Sequence, residues 1–345
     1  MASPSDHVLS NTPGLGVGEP SLAGRRIGKY EVVRLVGRGG MGTVYEARSV
    51  AIGKRVAMKF ISAGAARDPE GAARFQREAE AASAVESAHI VEIFDSGTSD
   101  EGQPYIVMEL LRGEDLGHRI KRCGRLEIAE AVHVVAQLLR GLHRAHEAGI
   151  VHRDLKPDNV FLVDRDDDLG HEGSAAARST GFVKILDFGI SKVRKTGTTP
   201  VDTLTSKGTV LGTPFYMAPE QAQALPDIDG RADLWSVGAI LFECLTGRPP
   251  HSGATYEQVI VSICMNDAED VRAYNPVVPE ALASVLAQAL ARDREARFAS
   301  ARDFLEALKA TSAELAGARA SGPSPDSGGE ALNSNDFRLT PRGFQ

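Results

Sequence analysis

The segment 152–159, which reads HRDLKPDN, brings together residue types that suit one kind of chemistry. The carboxylate of Asp154 can accept the proton of an attacking hydroxyl. Lys156 can place a positive charge on a phosphoryl group during its transfer, and Asn159 offers an amide oxygen to a magnesium ion. The segment therefore predicts phosphoryl transfer. A surface turn with an ordinary charge pair is the alternative, and two other motifs argue against it.

One of these motifs is the DFG sequence that begins at Asp187. Its carboxylate suits a second magnesium ligand, and its glycine permits a sharp change of chain direction. Strand-forming residues at 160–163 and 182–185 enclose the polar segment 164–181, which predicts a hairpin with a long tip. The aspartates at 166–168 in that tip could bind a cation, but a solvated charge cluster is the preferred interpretation.

The other motif is the glycine-rich sequence GRGGMG at 37–42. On its own this pattern also fits a dinucleotide-binding turn, in which the last glycine opens a helix. Here strand-forming residues precede the glycines at 30–36 and follow them at 43–47, and a further strand is predicted at 55–61. The glycines are therefore predicted to form the tip of a β-hairpin that covers phosphates.

Lys59 lies among apolar neighbours within the strand 55–61, where its ammonium requires an anionic partner. Glu78 can supply that partner from a helix predicted over 69–85, which has Asp68 as a suitable N-cap. Such a pair would direct Lys59 toward the α- and β-phosphates. A solvated lysine on the strand is the alternative.

The remaining elements are predicted from periodicity and from breaks in it. Two more strands are predicted at 89–94 and 104–109, and 110–113 then resembles an interdomain hinge. Helices are predicted at 126–149, 233–246, 255–265, 279–292 and 301–310. His143 and His146 lie at a spacing that could bind a metal, but they lack acidic or thiol neighbours and are interpreted as structural.

Bulk composition limits the class of protein. The 345 residues are 42% hydrophobic and 25% charged, which is typical of a globular protein with a sizeable core. A net charge of -7 argues against nucleic acid as a partner. The 3 cysteines lack a paired spacing, so we interpret them as small apolar fillers in a reducing compartment. The longest apolar run, within 237–245, is too short to span a bilayer, and we expect a cytoplasmic protein.

Eight motifs occur in the order GRGGMGTVYEA, VAMK, FQREAE, YIVMEL, HRDLKPDN, DFG, GTPFYMAPE and DLWSVG. Together they resemble the eukaryotic-like Ser/Thr protein kinases of bacteria over residues 30–308. Three departures do not touch the chemistry: Ala88-His89 in place of His-Pro, His251 in place of an aromatic residue, and an extended hairpin before DFG. The resemblance implies an α+β, bilobal protein-kinase fold, with a small β-rich N-lobe that carries one main helix and a larger, mostly α-helical C-lobe.

The resemblance also gives expected boundaries. A kinase domain is expected over 27–310, with its N-lobe at 27–109, a hinge at 109–113 and its C-lobe at 114–310. Outside this domain, 1–26 is rich in Ser, Pro and Gly, and 311–345 loses periodicity, so both are predicted to be disordered tails.

The resemblance assigns the catalytic residues. Asp154 would be the base, Lys156 would stabilise the transferring phosphoryl group, and Lys59 would pair with Glu78. Asn159 and Asp187 would hold magnesium. ATP would contact the glycine flap, the neighbouring strands and the hinge, through Gly37, Gly39, Gly40, Gly42, Val44, Ala57, Lys59, the gatekeeper Met108, Glu109 and Leu111.

Supporting roles and reactants are implied in the same way. Glu220 would pair with Arg297, Asp233 would support the catalytic loop from below, and Thr213 would position Asp154 and Lys156. The implied cofactors are ATP and Mg²⁺, with Mn²⁺ as an alternative ion. Thr213 and Lys156 resemble Ser/Thr rather than tyrosine kinases, so the expected partners are proteins with Ser and Thr acceptors.

Two other functions remain open at this point. A pseudokinase or ATP-binding scaffold would keep the fold without catalysis. A small-molecule phosphotransferase is disfavoured because GTPFYMAPE resembles a peptide-binding floor. A weak homodimer through the N-lobe is a further hypothesis. Whether the chain is complete or a shortened piece stays undecided.

The polar segment 190–215 resembles an activation loop, and Arg153 is the expected receptor for a phosphate on it. Candidate acceptors in the segment are Thr198, Thr199, Thr203, Thr205, Ser206 and Thr209. Thr205 is the first choice from its distance to Thr213, and Thr209 is the second. Autophosphorylation there is expected to raise activity. The alternative is an arginine paired with a carboxylate and a loop that needs no modification.

Overall fold

The computed structural model describes residues 22–39, 42–61, 79–80, 83–164, 181–187 and 214–320, with 312–320 described as backbone alone. Several predicted features lie outside these ranges and stay predictions. They are most of the helix 69–85 with Glu78, the glycine Gly40, the tip of the hairpin 164–181, the segment 190–213 with all the candidate phosphorylation sites and Thr213, and most of both predicted tails.

The small lobe is built on an antiparallel sheet whose described strands follow the order β1-β2-β3-β4-β6-β5. These strands are β1 Arg26–Ile27, β2 Tyr30–Gly39, β3 Gly42–Ser49, β4 Arg55–Ile61, β5 Ile93–Thr98 and β6 Pro104–Met108. Strands β2 and β3 pair across the glycine-rich segment, which agrees with the predicted hairpin and not with a dinucleotide-binding turn.

Aromatic packing fixes the position of β4. Met58 and Phe60 enter an apolar cluster that also contains Tyr45 and Tyr105. The ring centroid of Phe60 lies 5.8 Å from that of Tyr45 and 5.7 Å from that of Tyr105. Because side chains alternate across a strand, Lys59 then faces the opposite side of the sheet. The core of the small lobe therefore determines where Lys59 points.

The large lobe begins with a small antiparallel sheet in the order β7-β8-β9. Its strands are β7 Gly113–Asp115, β8 Val160–Val163 and β9 Phe182–Ile185. The described helices are α1 Leu116–Cys123, α2 Ile128–Glu147, α3 Pro219–Ala222, α4 Arg231–Thr246, α5 Tyr256–Met265, α6 Glu280–Ala289 and α7 Ala301–Ala320. Helix α4 is buried on nearly all sides, as expected for the central helix of a lobe. None of the described helices is both long and apolar enough to span a membrane.

Regular backbone structure extends into both predicted tails. The backbone of residues 24 and 25 pairs with Val32, through Gly24 N to Val32 O at 2.8 Å and Val32 N to Arg25 O at 2.9 Å. Leu22 packs against the small-lobe core. At the other end α7 continues to Ala320, and Thr311, predicted to begin a tail, is buried. Composition does not reveal these features, because they depend on backbone pairing near the first end and on the burial of Thr311 near the other.

Some element boundaries also differ from prediction. The predicted strand 89–94 begins only at Ile93, because Ile90 instead forms a parallel bridge with Ile185 of the large lobe. Gly113, predicted to end the hinge, lies in β7 opposite Val163. Cys123 is exposed rather than an apolar filler, since it lies in the last turn of α1. Cys244 is buried, as predicted.

Candidate active site

The segment 152–159, called the catalytic loop below, is held from beneath by a buried carboxylate. Asp233, in the first turn of α4, accepts hydrogen bonds from the backbone N of His152 and of Arg153, both at 2.8 Å. Its Oδ2 also lies 2.8 Å from Nε2 of His146. Burial raises the pKa of Asp233. The hydrogen bond and the charge of His146, together with smaller contributions from His152, outweigh this effect and lower the pKa below its ordinary value. Asp233 therefore stays ionised and supports the loop, as predicted.

His152 connects the catalytic loop to the strand that leads to Asp187. Its Nε2 lies 2.9 Å from the carbonyl of Leu186, and its Nδ1 accepts from the backbone N of Asp154 at 3.3 Å. Because a carbonyl can only accept, Nε2 is the donor in the contact with Leu186. The sequence did not assign a role to this fully buried histidine.

Within the loop, three side chains lie close together. Nζ of Lys156 lies 3.5 Å from Oδ2 of Asp154. Nδ2 of Asn159 donates to the backbone carbonyl of Asp154 at 2.7 Å. Because this bond uses the amide nitrogen, Oδ1 is the atom of Asn159 that remains suited to bind a cation. The short segment thus places a carboxylate, an ammonium and an amide oxygen side by side.

Asp187 reaches the same place from β9. The pairing of Val160 with Ile185 and the bond from Leu186 N to Asn159 O at 2.8 Å bring the end of β9 beside Asn159. Asp187 has a φ of 48°, a left-handed conformation that turns the chain sharply at this residue. Two segments far apart in sequence therefore present their oxygen donors to one region.

Lys59 forms an ion pair with Asp187, with 2.6 Å between Nζ and Oδ2. Burial raises the pKa of Asp187, but the charge and hydrogen bond of Lys59, with smaller effects of His152 and Lys156, lower it below its ordinary value. The carboxylate is therefore ionised at neutral pH, as a metal ligand must be. The partner predicted for Lys59, Glu78, lies outside the described residues.

The strands beside Lys59 carry the residues predicted to contact a nucleotide. Register places Val44 opposite Lys59, and Ala57 opposite Met108. Gly37 and Gly39 lie in β2, and Gly42 begins β3. A Cβ on Gly42 would lie 1.9 Å from the carbonyl oxygen of Phe60, so only glycine fits there.

Glu109, next to Met108, is fixed by backbone and side-chain contacts. Its N donates to Glu92 O at 3.0 Å, and its Oε1 accepts from Glu92 N at 2.8 Å and from Lys184 Nζ at 2.5 Å. Since the N–H is already bonded, the carbonyl is the backbone group of Glu109 suited to bind a base. The contact with Lys184 links Glu109 to β9, and the sequence analysis did not predict it.

A buried ion pair lies beneath the segment that precedes α4. Arg297 donates to both carboxylate oxygens of Glu220, at 2.7 and 2.9 Å, and neither side chain is more than 5% exposed. The guanidinium also lies 5.0 Å from the ring centroid of Trp235. The predicted pair is thus present, with the bidentate geometry that favours arginine.

The histidines weighed as metal ligands have structural partners. His146 contacts Asp233, and His143 lies 3.6 Å from Glu147 of the same helix. Within the ranges that the structure describes, no group of three or more His, Cys, Asp or Glu side chains could hold a metal ion. Each histidine thus has an acidic partner that the sequence analysis did not find, and the structural role of both stays a prediction.

The comparisons with known sequences all point to the same family. The sequence model of the protein kinase domain matches residues 30–309. Serine/threonine-protein kinase Pkn1 of Myxococcus xanthus is 40% identical over 293 residues, which cover 85% of this chain and 40% of Pkn1. The probable serine/threonine-protein kinase PknB of Bifidobacterium longum is 36% identical over 292 residues, which cover 82% of this chain and 39% of PknB. The chain thus spans about two fifths of these relatives.

Comparison with solved structures agrees. The Mycobacterium tuberculosis PknI kinase domain matches with a TM-score of 0.63 and 28% sequence identity, covering 83% of this chain and 97% of that domain. The fold found here is therefore similar to that of this kinase domain.

Proposed function

Because this chain belongs to the protein kinase domain family, we propose that it transfers the γ-phosphoryl group of ATP to Ser and Thr hydroxyls of protein substrates. One observation carries this proposal. Asp154, Lys156, Asn159 and Asp187 lie around one region, joined by the bonds from Asn159 to the Asp154 carbonyl and from Leu186 to the Asn159 carbonyl. The related proteins named above, which are described as serine/threonine-protein kinases, support the choice of acceptor.

Asp154 is the proposed base. As the acceptor oxygen forms its bond to the γ-phosphorus, the carboxylate takes the hydroxyl proton, and the bond to the bridging oxygen breaks with its electron pair leaving on ADP. Lys156, which lies 3.5 Å from Asp154, is close enough to neutralise charge on the group in transfer. Little covalent chemistry is asked of the protein, so positioning accounts for most of the rate.

The family uses ATP with a divalent metal, and the donors present fit a hard cation. The amide oxygen of Asn159 and the ionised carboxylate of Asp187 would hold it, since both are oxygen ligands and the pKa of Asp187 is lowered. When bound, such an ion neutralises charge on the β- and γ-phosphates. Mg²⁺ is the proposed ion, and the same ligands suit Mn²⁺.

Nucleotide contacts follow from the small lobe. Lys59 is proposed to bind the α- and β-phosphates, with Glu78 as its partner in the active arrangement, and Gly37, Gly39, Gly40 and Gly42 are proposed to cover the phosphates. Val44, Ala57 and Met108 lie on adjacent strands and are proposed to line the base pocket. The Glu109 carbonyl and Leu111 are proposed to bind the adenine edge.

The unit proposed to carry this activity is 27–310, with lobes at 27–109 and 114–310 joined by the hinge 109–113. The strand pairing of residues 24–27 and the continuation of α7 support a folded unit slightly longer than this at both ends.

Phosphate on the activation loop is the proposed regulator of this activity. Among the described residues, the guanidinium of Arg153 has no ion-pair partner, while its backbone is fixed by Asp233. A phosphate on Thr205, or on Thr209, would bond to this guanidinium and fix the loop. Phosphopeptide mapping, with turnover of Thr205→Ala, Thr209→Ala and the double variant, tests it: an unphosphorylated double variant with full activity contradicts the proposal.

The proposed activity is tested with labelled ATP, Mg²⁺ and a generic protein acceptor, comparing the wild type with Asp154→Asn. We expect label on Ser and Thr of the acceptor and at least a tenfold loss, about 1.4 kcal/mol of transition-state stabilisation, in the variant. ATP binding without labelling of any protein would instead indicate a scaffold. Labelling of small hydroxyl compounds alone would indicate the third function considered above.

A further inference from the structure

Arg153, the residue before the proposed base, has a backbone conformation that a side chain rarely adopts. Its φ is 65°, in the left-handed region. Such a conformation persists when neighbouring groups hold it in place. On one side Asp233 accepts from the Arg153 N–H at 2.8 Å. The other backbone group, the carbonyl, is held by a residue of a different element.

That residue is Gln221 of α3, whose Nε2 donates to the Arg153 carbonyl at 2.9 Å. Its Oε1 accepts from the backbone N of Ala218 at 3.1 Å. The two backbone groups determine which way the amide faces, because an N–H can only donate and a carbonyl can only accept. The donor end of Gln221 is therefore directed at the catalytic loop.

The support for Gln221 is itself rigid. Glu220, its neighbour in α3, forms the buried bidentate pair with Arg297. Ala218, which receives the other end of the amide, is fully buried. Gln221 thus connects a fixed helix to the strained residue beside Asp154.

The consequence for Asp154 follows from peptide geometry. In a trans peptide the carbonyl of Arg153 and the N–H of Asp154 point in opposite directions within one plane. Fixing the carbonyl through Gln221 therefore fixes the N–H, which donates to Nδ1 of His152 at 3.3 Å. The orientation of this peptide plane determines the direction in which the Asp154 side chain leaves the backbone.

We propose that Gln221 is a positioning residue for the proposed reaction: its amide donor holds the Arg153 carbonyl and so places the carboxylate of Asp154. This inference rests on the proposed kinase function. It distinguishes the donor end of the amide, which acts on the catalytic loop, from the acceptor end, which only caps α3.

The test is Gln221→Glu, which keeps the size and the acceptor for Ala218 N but replaces the donor by an oxygen. We expect kcat to fall about tenfold, with KM for ATP and the melting temperature close to wild type. Gln223→Glu, at the exposed residue that directly follows the same helix, makes the same charge change away from the loop and is expected to leave kcat unchanged.

Protonation provides a second readout. The carboxyl group that Gln221→Glu introduces can, once protonated, donate to the Arg153 carbonyl again, so the ratio of variant to wild-type kcat should rise as pH falls from about 8 to about 5.5. A merely structural defect would not recover in this way. Wild-type kcat in Gln221→Glu, or a loss that comes with a lower melting temperature and a higher KM for ATP, overturns the proposal.

Backbone NMR keeps the inference separate from the proposed function. The amide resonance of Asp154 should shift in Gln221→Glu and not in Gln223→Glu, whether or not the wild type phosphorylates a substrate. A wild type without turnover refutes the kinase proposal, whereas an unchanged Asp154 resonance in Gln221→Glu refutes the positioning role.

Discussion

The ion pair of Lys59 and Asp187 joins β4 of the small lobe to the end of β9 in the large lobe. Each residue has a separate proposed role, one toward phosphates and the other toward a metal. Lys59 is 8% exposed, so its ammonium is stabilised mainly by the carboxylate it contacts. At the scale of single residues, the ion pair therefore couples these two charges.

Lys59→Met is expected to reduce kcat/KM at least tenfold, because it removes the cation proposed to orient the α- and β-phosphates. Turnover with labelled ATP measures the loss, and circular dichroism checks that the fold is kept. Lys54→Met, which removes an ammonium that lies over the Phe94 ring, is the matched control and should keep its turnover. Comparable activity in Lys59→Met and Lys54→Met would remove Lys59 from the phosphate site.

Asp187→Asn is expected to raise the Mg²⁺ concentration needed for half-maximal activity at least tenfold, because the variant loses a charged oxygen ligand. A magnesium titration at saturating ATP measures the change. An unchanged requirement with an unchanged rate would show that Asp187 is not a metal ligand.

At the scale of elements, α3 is a short helix fixed by a buried salt bridge. Pairs of this kind are weak evidence for stability, since desolvation offsets most of their attraction. Removing one partner has a larger effect on stability, because the other charge is then buried without a partner. In this chain the pair also fixes the helix that carries Gln221.

Arg297→Met is expected to destabilise the protein by about 3–5 kcal/mol, since it leaves the Glu220 carboxylate buried without its partner. Urea denaturation measures the change in the free energy of unfolding. The double variant Glu220→Leu/Arg297→Met removes both charges and should be markedly more stable than Arg297→Met alone. Equal stabilities of the single and the double variant would contradict this explanation.

At the scale of the whole molecule, the lobes are connected by more than the chain between them. Ile90 of the small lobe bridges to Ile185, and Lys184 bonds to Glu109 beside the proposed nucleotide site. The strand β9 that ends at Asp187 is thus tied to the small lobe at two points besides Lys59. Motion of one lobe relative to the other is therefore expected to displace Asp187, one of the two proposed metal ligands.

One buried and one half-buried histidine make the stability of the folded molecule sensitive to acid. Burial lowers the pKa of His251, which stacks on Trp235, and of His89, which stacks on Phe182. A nearby carboxylate, Asp267, only partly opposes burial at His251. As pH falls through the unfolded value of about 6.5, the unfolded chain takes up these protons first, so stability decreases until the lower folded pKa values are passed.

His251→Phe is expected to weaken the pH dependence of stability between about pH 5 and 7, because it removes one of these two groups. Denaturation by urea at a series of pH values measures the slope. If His251→Phe and the wild type have the same slope, His251 does not contribute.

The sequence by itself determined which chemical groups the proposed active site contains. It also determined the contacts between residues that lie close together in the chain. Asp154, Lys156 and Asn159 occur within one short segment, so chain connectivity alone keeps them together. Alternating side chains and the glycine pattern similarly predicted the β2–β3 hairpin, since these are local properties of the backbone. The Glu220–Arg297 pair was reached through the resemblance rather than from local pattern.

The tertiary structure alone decided which distant groups meet. Three contacts each join separate elements: Lys59 with Asp187, Gln221 with the Arg153 carbonyl, and His152 with the Leu186 carbonyl. Two of these three use a backbone carbonyl, which every residue carries, so residue type does not reveal the partner. Composition likewise did not reveal the backbone pairing of Gly24 and Arg25 with Val32 or the burial of Thr311, because each depends on contacts with other segments.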